Sequence, residues 1–217
     1  MSTRPTIRKR LSASERREEI LRAAVALFGE RGYHASSIDD IARAAGISKA
    51  LIYEHFSSKE ELHMRLLEEN ARELMQRLAE ATAGDLRAEQ RLEAGLDAFF
   101  RFVEERRDAW RILFQEVTDP GVARTLDRIF DQVTAVVAAL IAEDPGARSL
   151  PADSEPVREE SIRMLAQMLV GAVQSLANWW ADHRKVPRER LVELVMDFAW
   201  VGLDRLRTGE RWSESQA

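Results

Sequence analysis

Cysteine is absent from the 217 residues, which removes disulfides, zinc–thiolate sites, iron–sulfur clusters and thiol nucleophiles together. Helix breakers are few. There are 6 prolines and 10 glycines, and Pro145, Pro151 and Pro156 fall in one stretch that predicts an exposed loop. Strand-like alternation, internal repeats and low-complexity tracts do not occur. Long hydrophobic runs are scarce as well. Residues 164–181 carry no charge, but Gln167, Gln174, Ser175 and Asn178 would each need a partner in lipid. The run therefore predicts a helix buried in protein and not a membrane span. Met1 to Leu21 has no apolar segment, which predicts no secretory signal and a cytoplasmic location. Enzyme signatures are missing too: no Gly-rich phosphate loop, nucleophile elbow or metal-binding helix pattern appears. His34, His55, His63 and His183 include no pair at i+3 or i+4. Paired acids such as Glu18-Glu19 and Asp39-Asp40 sit at helix starts, where they complement the helix dipole. No catalytic residue, metal or cofactor is predicted.

What is present is a foldable chain with an uneven charge. Hydrophobic residues make up 45% and charged residues 32%, enough for a conventional core. The net charge is −5, so any contact with a polyanion must be local. Residues 1–65 carry a net +3 and the remainder −8. The basic side chains start early, at Arg4, Arg8, Lys9, Arg10, Arg16, Arg17 and Arg22. Such asymmetry points to one part that touches nucleic acid and another that does something else, a solvated basic tail being the plainer explanation.

Helical periodicity runs through the chain. Ile20, Ala24, Leu27, Phe28 and Arg31 share one face behind a Ser12/Glu15 capping box, and Gly32 stops that helix. A second helix begins at Ser37 with Asp40 as its capping partner, buries Ile38, Ile41, Ala42 and Ala45, and ends at Gly46. Ser48 caps a short third helix carrying Leu51 and Ile52, which Phe56 closes. Ser58 and Glu61 open a long fourth helix towards Ala83, broken at Gly84-Asp85. A fifth is striped by Leu92, Leu96, Phe99, Phe100 and Val103. Trp110, Leu113, Phe114 and Val117 mark a short sixth. A seventh follows Asp119-Pro120-Gly121 and carries Val122, Leu126, Ile129, Phe130, Val133, Val137, Leu140 and Ile141. Two more are expected over about 157–183 and 187–207. The predicted fold class is all-α.

Between Ser36 and Lys59, two short capped helices meet at a tight turn through Gly46. Ala42 and Ala45 are small where the helices must approach, and Ile47 plugs the turn. This is the pattern of a helix-turn-helix, whose second helix enters the DNA major groove. The run Gly-Ile-Ser-Lys-Ala-Leu-Ile-Tyr-Glu-His-Phe-Ser-Ser-Lys-Glu-Glu-Leu from Gly46 to Leu62, with Ala-Leu-Phe-Gly-Glu-Arg-Gly-Tyr from Ala26 to Tyr33, resembles the DNA-binding domain of the TetR family of transcriptional regulators. The resemblance covers about residues 13–63. Beyond that, the chain is similar only in length and helical texture. By position, the resemblance implies phosphate or base-edge contacts from Ser37, Ser48 and Lys49, and phosphate contacts from Tyr53, His55 and Lys59. Ala50 and Ile52 are expected to face the groove, where apolar groups touch a thymine methyl. Phe56 matches a core position. Glu54 departs from the commonest pattern. Phosphates repel a carboxylate there, so it either accepts from a cytosine amino group or points aside.

The expected layout is a basic arm over 1–12, a three-helix DNA-binding domain over 13–57, a helical ligand-binding and dimerisation domain over 58–207 and a tail over 208–217. In the first of the two final helices, Ile162, Leu165, Leu169, Val173, Leu176 and Trp180 make one stripe, and Met164, Met168, Gly171, Ser175 and Trp179 a second. In the last, Leu191, Leu194, Val195, Phe198 and Gly202 are paralleled by Val192, Met196, Trp200 and Leu203. A helix apolar on two sides is buried on two sides, so a symmetric homodimer through a four-helix bundle is expected. Phe99, Phe102, Trp110, Phe114, Met168 and Trp179 are candidates to line an apolar pocket, with Gln167, Gln174 and Asn178 to orient a ligand. The expected partners are a palindromic double-stranded operator, a small effector and a second copy of the chain. The leading expectation is a repressor that a small, largely apolar ligand releases from DNA. A homodimer with a vestigial DNA-binding domain, acting through protein partners, and an enzyme with its site in the C-terminal cavity are the alternatives.

Overall fold

The computed structural model describes residues 12–107, 109, 110, 120–143, 154–183 and 185–202. Within them the regular elements are all helices: α1 (Ala13–Arg31), α2 (Ile38–Ala45), α3 (Lys49–His55), α4 (Lys59–Ala81), α5 (Ala88–Glu105), α6 (Pro120–Glu143), α7 (Glu155–Asp182) and α8 (Arg188–Val195). A π turn at Met196–Trp200 extends α8. The all-α class read from periodicity holds. Arg4, Arg8, Lys9 and Arg10, the stretch with Leu113, Phe114 and Val117, Pro145, Pro151, Leu203, Arg207 and residues 208–217 lie outside the described residues.

The short N-terminal helices start and stop where side chains satisfy their free backbone groups. Ser12 accepts from the Glu15 N–H at 3.2 Å, and the Glu15 carboxylate accepts from the Ser12 N–H at 2.7 Å. The same reciprocal box joins Ser37 to Asp40. Gly46 then takes a left-handed conformation with φ 65°, which a side chain would strain, and Ile47 N–H returns to the Ala42 carbonyl. Ser48 and Ser58 cap α3 and α4 through Leu51 N–H and Glu61 N–H.

The core is connected from end to end. Ile20, Ala24 and Phe28 of α1, Ile41 of α2, Ile52 of α3, Phe56 and Leu62 are all buried, and the cluster continues through Leu74, Leu96, Phe100, Val103, Trp180 and Leu191. α4 is the element common to both ends. Its 23 residues span ~35 Å at 1.5 Å per residue, and it packs on α1, α5 and α6. Trp180 closes the turn between α7 and α8 by donating its indole N–H to the Val186 carbonyl at 2.8 Å. Among the described residues no helix is long and apolar enough to cross a membrane.

Two stripes divide differently from the periodicity reading. In α8, Leu191, Val192, Val195 and Ala199 face inward, whereas Leu194, Phe198 and Val201 are exposed. At 100° per residue Phe198 would lie within 20° of Leu191, the grouping that periodicity gives, yet Leu191 is buried and Phe198 exposed. The π turn adds a residue to the last turn and fixes that division. In α7 the division is as expected: Ile162, Val173 and Trp180 are buried, and Met164, Met168 and Trp179 are exposed.

Candidate nucleic-acid interface

α2 and α3 present a small polar surface built on an apolar anchor. Ile52 and Phe56, one turn apart, are 0% and 1% exposed and fasten α3 to the core. Ile52 therefore does not face the groove, contrary to the contact with DNA that the resemblance implies. One face of a seven-residue helix must hold it to the domain, and Ile52 lies at the centre of that face. Ser48, Lys49, Ala50, Tyr53 and Glu54 are exposed, and His55 is half-buried. Lys49 bridges the two helices, its ammonium 2.9 Å from the Asp39 carboxylate at the start of α2. That hydrogen bond holds Lys49 above its ordinary pKa, so it stays charged. Ser37 is exposed, but its hydroxyl is engaged in the α2 cap, donating to the Asp40 carboxylate at 2.5 Å.

Lys59 has a job inside the domain. Its ammonium donates to the carbonyls of Tyr33 at 2.9 Å and Ser36 at 3.0 Å, closing the loop between α1 and α2. It also lies 4.1 Å from the centroid of the Tyr33 ring. Partial burial pushes its pKa below the ordinary lysine value. On the same helix, one turn further, His63 is buried, stacked on Tyr33 at 4.4 Å and edge-on to Phe28 at 5.5 Å. Sequence reasoning missed this Lys59–Tyr33–His63 arrangement. The i, i+4 spacing of Lys59 and His63 was the available signal.

The residues proposed for an effector do not converge. Phe99 and Trp110 meet edge to face at 5.3 Å, and Trp110 donates its indole N–H to the Asn178 side-chain carbonyl at 3.0 Å. Phe102 is fully buried with the Arg77 guanidinium over its ring at 5.6 Å. Gln174 is half-buried, while Gln167 is exposed and accepts from the Thr134 hydroxyl at 3.4 Å. Met168 and Trp179 are 68% and 46% exposed, and Trp179 stacks on His183. They belong to the outer stripe of α7, half a turn from the inward one, so neither joins Phe99 and Trp110. Phe114 lies outside the described residues. No cluster of three or more metal-binding side chains occurs among the described residues.

A short capped helix anchored on one side, polar on the other, and preceded by a glycine turn defines a helix-turn-helix protein. Comparison with known proteins makes this specific. The family described as bacterial regulatory proteins, tetR family, matches residues 20–66, and the tetracyclin repressor-like C-terminal domain matches residues 88–202. The chain belongs to the TetR family of transcriptional regulators, as its DNA-binding motif suggested. It is 36% identical over 200 residues to the HTH-type transcriptional activator FasR of Mycolicibacterium smegmatis, covering 91% of this chain and 87% of that protein. The crystal structure of a TetR-like transcriptional regulator from Rhodococcus sp. RHA1 superposes with a TM-score of 0.75 at 26% identity, over 90% of this chain and 99% of that one. FadR from Bacillus subtilis, solved in complex with stearoyl-CoA, shares the fold with a TM-score of 0.71 at 19% identity, over 89% and 99% of the two chains.

Proposed function

We propose that the protein is a homodimer that binds a palindromic operator through α3 and is released by a small, largely apolar ligand held in its C-terminal half. The observation that carries this reading is the outer face of α3, where Ser48, Lys49, Ala50 and Tyr53 stand exposed together beside a helix N-terminus. Free backbone N–H groups and a cation there suit phosphate, and the small Ala50 allows close approach to base edges. His55 flanks the same surface. Ser37 contributes through the N-terminus of α2 rather than through its hydroxyl, and Lys59 by fixing the loop that carries Ser36 and Ser37. Exposed Met164, Met168, Trp179, Leu194, Phe198 and Val201 on α7 and α8 support dimerisation, since a monomer rarely leaves so many large apolar groups in water. For the ligand we assign Phe99, Trp110 and Asn178, because aromatic faces beside one polar pair suit an apolar molecule with a single oriented group.

On this reading the protein represses where its operator overlaps a promoter. A second reading has one observation in its favour: a relative that matches nearly the whole chain is named an activator. The same dimer, bound upstream of a promoter, would then stimulate transcription, and the ligand would switch the gene off. A gel shift on DNA from upstream of the coding region, with and without stearic acid or stearoyl-CoA, which share an apolar acyl chain, tests binding and release. In vitro transcription from the same fragment reads the sign. A stable dimer that shifts no upstream DNA would favour a vestigial DNA-binding domain instead.

A further inference from the structure

We infer that Glu54 reads a base: its carboxylate accepts a hydrogen bond from the exocyclic amino group of a cytosine in the major groove, once in each half-site. The inference rests on the DNA-binding reading above and adds to it the residue that sets one base pair of the operator. Position supplies the first argument. α3 is anchored through Ile52 and Phe56. At 100° per residue, Ala50 and Glu54 lie one turn apart on the line opposite that anchor, and both are exposed. The seven residues of α3 span ~10 Å, and the major groove is about 12 Å wide. The whole outer line of the helix therefore fits within the groove. Ala50 offers only a methyl group, so it does not hold the helix off the base edges, and Glu54 lies about 6 Å further along the axis.

Charge supplies the second. Three nearby acids are engaged: Asp39 by Lys49 at 2.9 Å, Asp40 by Arg43 at 2.9 Å and by the Ser37 cap, and Glu61 by the Ser57 hydroxyl at 2.6 Å. Glu54 has no hydrogen bond or ion pair with any described residue. A bare carboxylate carried between two phosphate strands is repelled, and most base edges make matters worse. Guanine presents N7 and O6, thymine presents O4, and adenine sets N7 beside its amino group; cytosine alone offers a donor with no acceptor on the same base. At a cytosine the carboxylate gains a charge-assisted hydrogen bond. At any other base it stays desolvated and unpaired, so selection comes as much from rejection as from attraction.

The test is selection from a pool of duplexes with randomised half-sites, at one fixed salt concentration, by the parent, Glu54→Gln and Glu54→Ala. The exposed position should leave all three with coincident thermal melts. The parent should prefer cytosine at one position of each half-site by ~5–150-fold, the range a good base contact gives. Glu54→Gln should move that preference to adenine, whose N6 and N7 pair with an amide. Glu54→Ala should show no preference there, and the other positions should read alike in all three. Identical selected sequences from all three proteins would overturn the role of Glu54 and leave the DNA-binding reading standing. A folded parent that enriches nothing would overturn the DNA-binding reading and this inference with it.

Discussion

Lys59 holds the carbonyls of Tyr33 and Ser36 together with one ammonium, against the face of the Tyr33 ring. Charged hydrogen bonds of this kind contribute more than neutral ones, so Lys59→Ala should cost about 1–3 kcal/mol of folding stability. Because the loop it closes positions α2, DNA affinity should fall for all sequences alike. Denaturant titration and gel shifts on operator and random DNA read the two effects; a stable variant with a loss confined to one base pair would contradict the assignment. Asp40 behaves differently. Its carboxyl is held below the ordinary aspartate value of 3.8, first by the Ser37 hydroxyl and N–H and then by Arg43. A folded-state pKa below the unfolded one means the stabilisation is present above 3.8 and lost as pH falls through the depressed value. The melting temperature of Asp40→Asn should accordingly lie below the parent's at pH 7, and the gap should close in acid. A gap that does not narrow on acidification would remove Asp40 from the acid sensitivity of α2. The Asp40 cap was legible in the sequence because capping is local, and so was the burial of Phe56. The directions of Ile52 and Lys59 were not. A motif says which positions lie near DNA, whereas the turn of each side chain depends on how α3 and α4 seat on the core.

On the proposed reading, α4 is placed to carry a signal, since it packs on α1, α5 and α6. It begins beside the α2–α3 unit and extends ~35 Å as one uninterrupted helix. Its far half is tied to α5 by a charged cluster: Arg77 binds Glu73 and Glu105, each at 2.6 Å, and Arg106 reaches Glu73 at 3.1 Å. Displacement of α5 by a ligand near Phe99 would thus be passed to α4 and alter the spacing of the reading heads. Replacing Met75 and Gln76 by Gly-Gly adds about 2 kcal/mol of helix cost and a flexible joint between the two ends. Ligand affinity of the free protein should stay close to the parent's, while ligand should no longer lower operator affinity by the usual ~5–150-fold. Paired titrations of the variant decide the matter: release of DNA at the parent's ligand concentration would show that α4 is not the transmitter. The start of α4 was readable from Ser58 and Glu61, and its end from Gly84. The π turn at 196–200 was not, because no local propensity encodes it. Without it, the inward and outward residues of α8 were sorted incorrectly.

On the scale of the whole molecule, one reading head is a poor operator binder, and two held at the right separation are a good one. Half-sites recur about 34–36 Å apart or at multiples of that distance. Once one head is seated, the other is delivered at high effective concentration, and linked binding can exceed single-site binding by ~10²–10⁴-fold. In the proposed dimer the link is the α7–α8 surface, where Met168 is 68% and Phe198 73% exposed. In a two-fold interface each residue lies near its own copy or the same neighbour on both sides. Arginines placed there, as in Met168→Arg with Phe198→Arg, set like charges against each other in the surface that association would bury. Neither side chain contributes to the core, so the doubly substituted chain should keep its helical spectrum and thermal melt. It should sediment as a monomer, bind a half-site duplex as the parent's single head does, and lose ~10²–10⁴-fold on the full operator. Analytical ultracentrifugation and binding titrations on the two duplexes give each quantity separately. A variant that stays dimeric would move the interface elsewhere on the molecule. A monomer that still binds the full operator with the parent's affinity would mean that the two heads act alone.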